Sequence, residues 1–190
     1  SHSDAAGTVA ASLGNNVRIP NGAVSVTARS VSRQDSKASG IAVGLIGVGA
    51  DLANATSVVH TTATIGTGLN TTANRAGSLT VQATGIAFNV ASSVAGSGGV
   101  VAGNASEAHA IDTGNATVGI GTTGNTIRAS DVTIAARNES DYYIHSDSTN
   151  AALVGFSGAF AIFDGDTTAT TNIPDGFNLQ ATGVVAISSE

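Results

Sequence analysis

The chain contains no cysteine, no methionine and no tryptophan. Without cysteine there is no disulfide framework, no thiolate ligand for a metal and no thiol nucleophile. Without methionine there is no natural start, so the sequence reads as an excised piece of a longer chain. Residues 1–4, opening Ser1-His2-Ser3, read as a tag remnant and are expected to lie outside the fold. Charge is scarce as well. Charged residues make up 11% of the chain, against about 25% in an ordinary globular domain. Only seven side chains are basic and the net charge is −6, which leaves no basic patch for nucleic acid or an anionic membrane. No apolar run reaches 18 residues without a polar break, the length a membrane-spanning helix needs. Helix signals are poor, because glycine and threonine recur throughout and no Glu/Lys pair sits four apart.

What is present is small and β-branched. The hydrophobic fraction is 42%, mostly Ala and Val, which is too apolar for a disordered chain. Such a composition, with 24 glycines, points to an all-β solenoid or sandwich.

The sequence repeats. "AVSVTARS" at 23–30 resembles "SLTVQATG" at 78–85 and "DVTIAARN" at 131–138, with "GVVAISSE" at 183–190 as a fainter fourth copy. Taking Val24, Leu79, Val132 and Val184 as equivalent gives spacings of 55, 53 and 52 residues. A polar stretch and an apolar, glycine-rich segment follow each of the first three copies: 41–56, 90–106 and 151–168. Then comes an Ala/Thr/Ile strand at 62–68, 116–124 and 168–176. The organisation expected is a partial unit at 5–22, full units at 23–77, 78–130 and 131–182, and the start of another at 183–190.

Two strand types are expected. In "LTVQATG", Leu79, Val81 and Ala83 alternate with Thr80, Gln82 and Thr84, the pattern of one dry and one wet face. In "GIAVGLIGVGA" (40–50), Ile41, Val43 and Leu45 occupy one register and Ile46 and Val48 the other. That pattern predicts a strand buried on both faces. The fold class expected is therefore a repetitive, β-helix-like solenoid of ~53-residue units with a thick or two-layer cross-section.

The repeated pattern "VTVxAxS … AxGxAVGxxGVGAxxAxAT … TATIGxG … AGSLTVQA" resembles the repeat regions of large bacterial surface adhesins and exoproteins, filamentous-haemagglutinin-like or leukotoxin-like. The resemblance runs from about Gly7 to Ser188. It implies a stalk or fibre segment at the bacterial cell surface or outside the cell, secreted by a two-partner or autotransporter route, without catalytic residues or cofactors. The unit here is longer than the short coils of a haemagglutinin-type β-helix.

Sites were weighed against their plain structural readings. "GIGTTG" (119–124) matches G-x-G-x-x-G, but strand-like sequence follows it where a dinucleotide site needs a helix, so it reads as a β-turn. Asp164 and Asp166, with Asp175 nearby, offer oxygen ligands for Ca²⁺ but lack a full calcium-loop pattern. His60, His109 and His145 fall at non-equivalent positions and show no zinc spacing. "ESDYYIHSD" (139–147) is the one aromatic, charged patch. Tyr142 and Tyr143 point opposite ways in a strand, and Tyr142, Tyr143 and His145 are the candidate contact residues. Five Asn-x-Ser/Thr sequons begin at Asn54, Asn70, Asn104, Asn115 and Asn138.

The function expected is a non-catalytic structural and adhesive repeat module. Its expected partners are neighbouring repeats, a host-cell or biofilm glycan or protein, and further copies through edge strands. Two other readings compete: a β-helix polysaccharide-active enzyme, which needs clustered acidic or basic groups in one groove, and an ice- or surface-binding solenoid, motivated by the Thr-rich "HTTATIGTGLNTT". A membrane-inserting segment is a weaker fourth.

Overall fold

The computed structural model describes residues 1–69, 76–121 and 126–190. Eight β-strands and, among the described residues, no helix make up the fold: β1 (His2–Leu13), β2 (Ala23–Ile65), β3 (Ala76–Asp112), β4 (Asn115–Ile120), β5 (Thr126–Gly165), β6 (Thr168–Asn172), β7 (Asn178–Ala181) and β8 (Val185–Ser189). The chain is all-β, as its composition predicts. One sheet contains every strand, in the order β6-β4-β2-β3-β5-β7, with β1 beside β2 and β8 beside β5. Every pairing is parallel. His2, Ser3 and Asp4 pair with Asn54, Ala55 and Thr56, so the first residues join β1 although they were expected outside the fold.

Three strands are long: β2 has 43 residues, β3 has 37 and β5 has 40, where about 5–6 is usual. They are not straight. Within β2 the Ser30 and Thr61 hydroxyls meet at 2.6 Å and those of Ser32 and Ser57 at 2.7 Å, while Asn54 N donates to Ser36 Oγ at 3.1 Å. The sheet thus curls over, and each long strand has an outbound and a return limb facing one another. In β2 the bend falls at Leu45, which drops out of the ladder between the Gly44–Gly99 and Ile46–Val101 pairs. Val100 and Leu153 drop out in the same way.

The interior changes character from base to bend. At the base, Val24, Val26 and Ala28 of β2 stack beside Leu79, Val81 and Ala83 of β3, and these beside Val132, Ile134 and Ala136 of β5. Ala63, Ile65, Ala116, Val118 and Ile120 close the same core from the return side. Each buried Val, Leu or Ile contributes about 1.5–3 kcal/mol. Midway, the interior side chains become small, and polar residues surround a second apolar cluster of Ala55, Ala91 and Ala108. Ser30, Ser32, Gln34, Ser36, Ser57, Thr61, Asn89 and Ser93 are buried there. They bond limb to limb, as where Asn89 Nδ2 donates to Ile111 O at 3.1 Å.

Toward the bend the inward positions become Gly40, Ala42, Gly47 and Gly49. A Cβ on Gly47 would lie 3.0 Å from the carbonyl oxygens of both Ala42 and Gly98. The limbs approach too closely there to hold a large side chain. Here the structure corrects the expectation of a strand buried on both faces. Ile41 is 81% exposed, Leu45 82%, and Val43, Ile46 and Val48 are also exposed. The reason is the bend itself. Leu45 and Ile46 both point outward, so the odd register of the outbound limb and the even register of the return limb share the outer surface. Leu153, Val154 and Phe156 of β5 extend the same exposed apolar rim.

These two environments predict opposite sensitivities. Leu79→Ala, at a side chain 1% exposed, should lower stability by about 2–5 kcal/mol. Leu45→Ala should stay within about 0.5 kcal/mol of the parent. Urea unfolding followed by circular dichroism measures both; the reverse ranking would place the core at the bend.

Candidate functional site

The outer face of the outbound limbs carries the aromatic, charged patch. Parallel in-register pairing builds it as a grid. Arg33, Phe88 and Asp141 form one row, Asp35, Val90 and Tyr143 the next, and Lys37, Ser92 and His145 the third. Neighbours along a row are about 4.8 Å apart, and successive rows about 6.6 Å. Arg33, Asp35, Lys37, Asp141, Tyr143 and His145 are all exposed, while Phe88 is half-buried. Lys37 Nζ pairs with Asp35 Oδ2 at 3.1 Å, and beside the grid Arg137 pairs with Glu139. The Tyr143 and His145 rings lie nearly parallel, with centroids 6.5 Å apart. A shallow groove of about 160 Å³ beside them is lined by Phe88, Asn89, Val90, Asp141, Tyr142 and Tyr143.

Tyr142 does something else. It lies in the inward column of Gln34 and Asn89, and its ring stacks on Phe163 of the return limb with centroids 3.9 Å apart. Alternation thus separates the two adjacent tyrosines: Tyr142, although 56% exposed, stacks toward the return limb, and Tyr143 lies on the outer face. Of the three candidate contact residues, Tyr143 and His145 share the outer grid, and Tyr142 lines the groove beside it. Arg33, Asp35, Lys37, Phe88 and Asp141 join it from elsewhere. Their signal was the repeat spacing, since adding 55 and then 53 to position 33 reaches 88 and 141.

The other candidates do not assemble. Asp164, Asp166 and Asp175 are exposed. Among the described residues, no group of three or more His, Cys, Asp or Glu side chains is placed to hold a metal. His60 bonds Asn115 through Nδ1 at 3.0 Å on the return limb, away from His145. In "GIGTTG", Gly119 ends in β4, Gly121 follows it, and strand β5 comes next; residues 122–124 lie outside the described residues. A Cβ at Gly121 would lie 2.6 Å from Gly66 C, so this glycine serves backbone stacking. Thr62, Thr117 and Thr170 do form a row, but His60–Asn115–Thr168 and Thr64–Gly119–Asn172 flank it, so the threonines make a single file and not a flat array. Of the sequons, Asn70 lies outside the described residues. Asn104 is buried with Nδ2 bonded to Ala95 O and Thr149 O, and Asn138 Nδ2 donates to Gly114 O.

A larger hollow, about 780 Å³, lies nearer the bend over Gly96 and Gly98, walled by Ile41, Val43 and Val94. It presents no titratable group. No described helix is long and apolar enough to cross a membrane.

The chain matches no protein-family model, no curated protein and no solved structure. Function therefore rests on the geometry alone.

The two tyrosines should behave differently on substitution. Tyr142→Ala removes a stacked ring pair and should cost about 1 kcal/mol or more. Tyr143→Ala should change stability by less than about 0.5 kcal/mol. Equal losses in urea unfolding would contradict the assignment of Tyr142 to the stack on Phe163 and of Tyr143 to the outer face.

Proposed function

We propose that the chain is a non-catalytic structural and adhesive module: a segment of β-solenoid, built from units of about 53 residues, in the stalk of a large bacterial surface or secreted adhesin. One observation carries this reading. Each long strand lies parallel and in register on the one before, with Ala23 beside Ser78 and Ser78 beside Asp131. Shorter strands continue the spacing, with Asn115 beside Thr168 and Val132 beside Val185. The fourth copy is thus offset by one residue from the Val132–Val184 equivalence read from the sequence. Such stacking converts chain length into axial length at about 4.8 Å per unit. The hydroxyl interior and glycine bends meet the requirement that each strand accept a similar strand on either side.

On this reading the outer grid supplies the adhesive contact. Tyr143 offers a flat apolar face, and Arg33, Asp35, Asp141 and His145 surround it with donors and acceptors. That combination suits the ring face and hydroxyls of a cell-surface or biofilm glycan. Beyond Asn138, β5 pairs only on its β3 side among the described residues, which would admit a further strand. The setting proposed is extracellular, at the bacterial surface.

Two measurements test the two halves. Inserting six further copies of residues 78–130 should lengthen the particle by about 29 Å along one axis in small-angle scattering. A compact particle that grows equally in all directions would refute the stalk. On a glycan array, Tyr143→Ser with His145→Ala should lose at least about tenfold in signal, the size of about 1.4 kcal/mol. Retention of every parent signal by the double variant would remove the grid as the contact.

A further inference from the structure

Asp112 closes β3 and is 1% exposed. Its ladder neighbours are Ser57 on one side and Gly165 on the other. The Phe163 ring fills the space a side chain at Gly165 would need, which shuts off that side. The carboxylate accepts one hydrogen bond, from Gly114 N to Oδ1 at 3.1 Å, and no other among the described residues. Among the described residues no Lys, Arg or His pairs with it; the ion pairs there are His2–Asp4, Lys37–Asp35 and Arg137–Glu139. A carboxylate in that position lacks a counter-charge, and burial of an uncompensated charge is costly.

Asp112 lines a small recess of about 10 Å³ between the limbs, shared with Ser30, Ser32, Ser57, Gly85 and Asn138. That is room for one particle the size of a water molecule. Three serines and an asparagine line the same space. Ser32 and Ser57 bond one another at 2.7 Å, and Ser30 bonds Thr61 at 2.6 Å, so each hydroxyl oxygen keeps a lone pair. Asn138 Oδ1 takes the place that a side chain at Gly85 would need, and the amide is held by its bond to Gly114 O at 2.9 Å.

We propose that Asp112 and the Ser30, Ser32 and Ser57 hydroxyls form an interior site for a single monovalent cation of potassium size. Hard oxygen donors suit hard cations. One carboxylate balances one positive charge, so a divalent ion would leave the interior charged. The size of the space fits potassium, whose radius is close to that of water. The ion would bridge the limbs of β2 and β3 where the interior changes from hydroxyl pairs to the apolar base.

Thermal unfolding of the chain at pH 7 tests this, with potassium chloride exchanged for choline chloride at constant ionic strength. The unfolding temperature should rise saturably with potassium, by about 3 °C or more. Asp112→Asn, close in shape and uncharged, should fold and lose that dependence. Ser57→Ala should keep it but need about tenfold more potassium, a weakening of about 1.4 kcal/mol. Thallium(I) soaked into crystals should give an anomalous peak beside the Asp112 carboxylate. A parent protein indifferent to the cation would overturn the site. An equal potassium response in Asp112→Asn would also overturn it, by assigning the effect to the surface.

Discussion

Parallel, in-register pairing is the constraint on which the rest of this structure depends. Val24 lies beside Leu79 and Leu79 beside Val132, so each position must be compatible with its counterparts 52–55 residues away. A parallel ladder places these side chains about 4.8 Å apart, close enough that a large residue needs a similar or smaller neighbour. Size is conserved along the inward columns at the base for this reason. Where it is not, the structure compensates. The Phe156 ring takes space that a side chain at Gly103, its ladder neighbour, would need.

The curl of the sheet imposes a second condition, that the two limbs of one strand suit each other. Three solutions follow one another along the limb. Branched apolar side chains fill the base, hydroxyls and amides pair across the middle, and glycine brings the backbones together near the bend. A buried hydroxyl pair contributes less than a buried leucine, about 0.5–1.5 kcal/mol net, but leaving it unpaired would cost more than that. The base therefore supplies most of the stability. The bend, with its large side chains in solvent, belongs to the low-stability end of the molecule.

This division explains what could be read in the sequence. The base strands were legible because one limb alternates strictly and three copies agree. The separation of Tyr142 from Tyr143 was legible for the same reason. Residues 40–50 were misread because a period of two assumes a straight strand. Two consecutive outward residues at the bend, Leu45 and Ile46, exchange the faces, and nothing in the composition of "GLIG" marks that exchange. The outer grid was half legible, since "YYIH" is conspicuous but Arg33 and Phe88 become its neighbours only through the register. Asp112 was not legible at all. It belongs to no motif, and its burial follows from Ser57 and Gly165 beside it.

The inner and outer surfaces are consequently under different rules. An inward residue answers to two ladder neighbours and to the facing limb, so a change there must be matched several times over. An outward residue answers only to its ladder neighbours and to solvent. Arg33, Phe88 and Asp141 occupy one row and share no chemistry, while Ala28, Ala83 and Ala136 occupy one inward column and are identical. Contact chemistry can therefore vary on the outer face without disturbing the stack, which is the arrangement expected of a scaffold that keeps its shape while its binding surface changes. Asp112 is the exception that this rule isolates. It breaks the hydroxyl pattern at an inward position, where departures are least tolerated, and its charge has to be answered inside the fold.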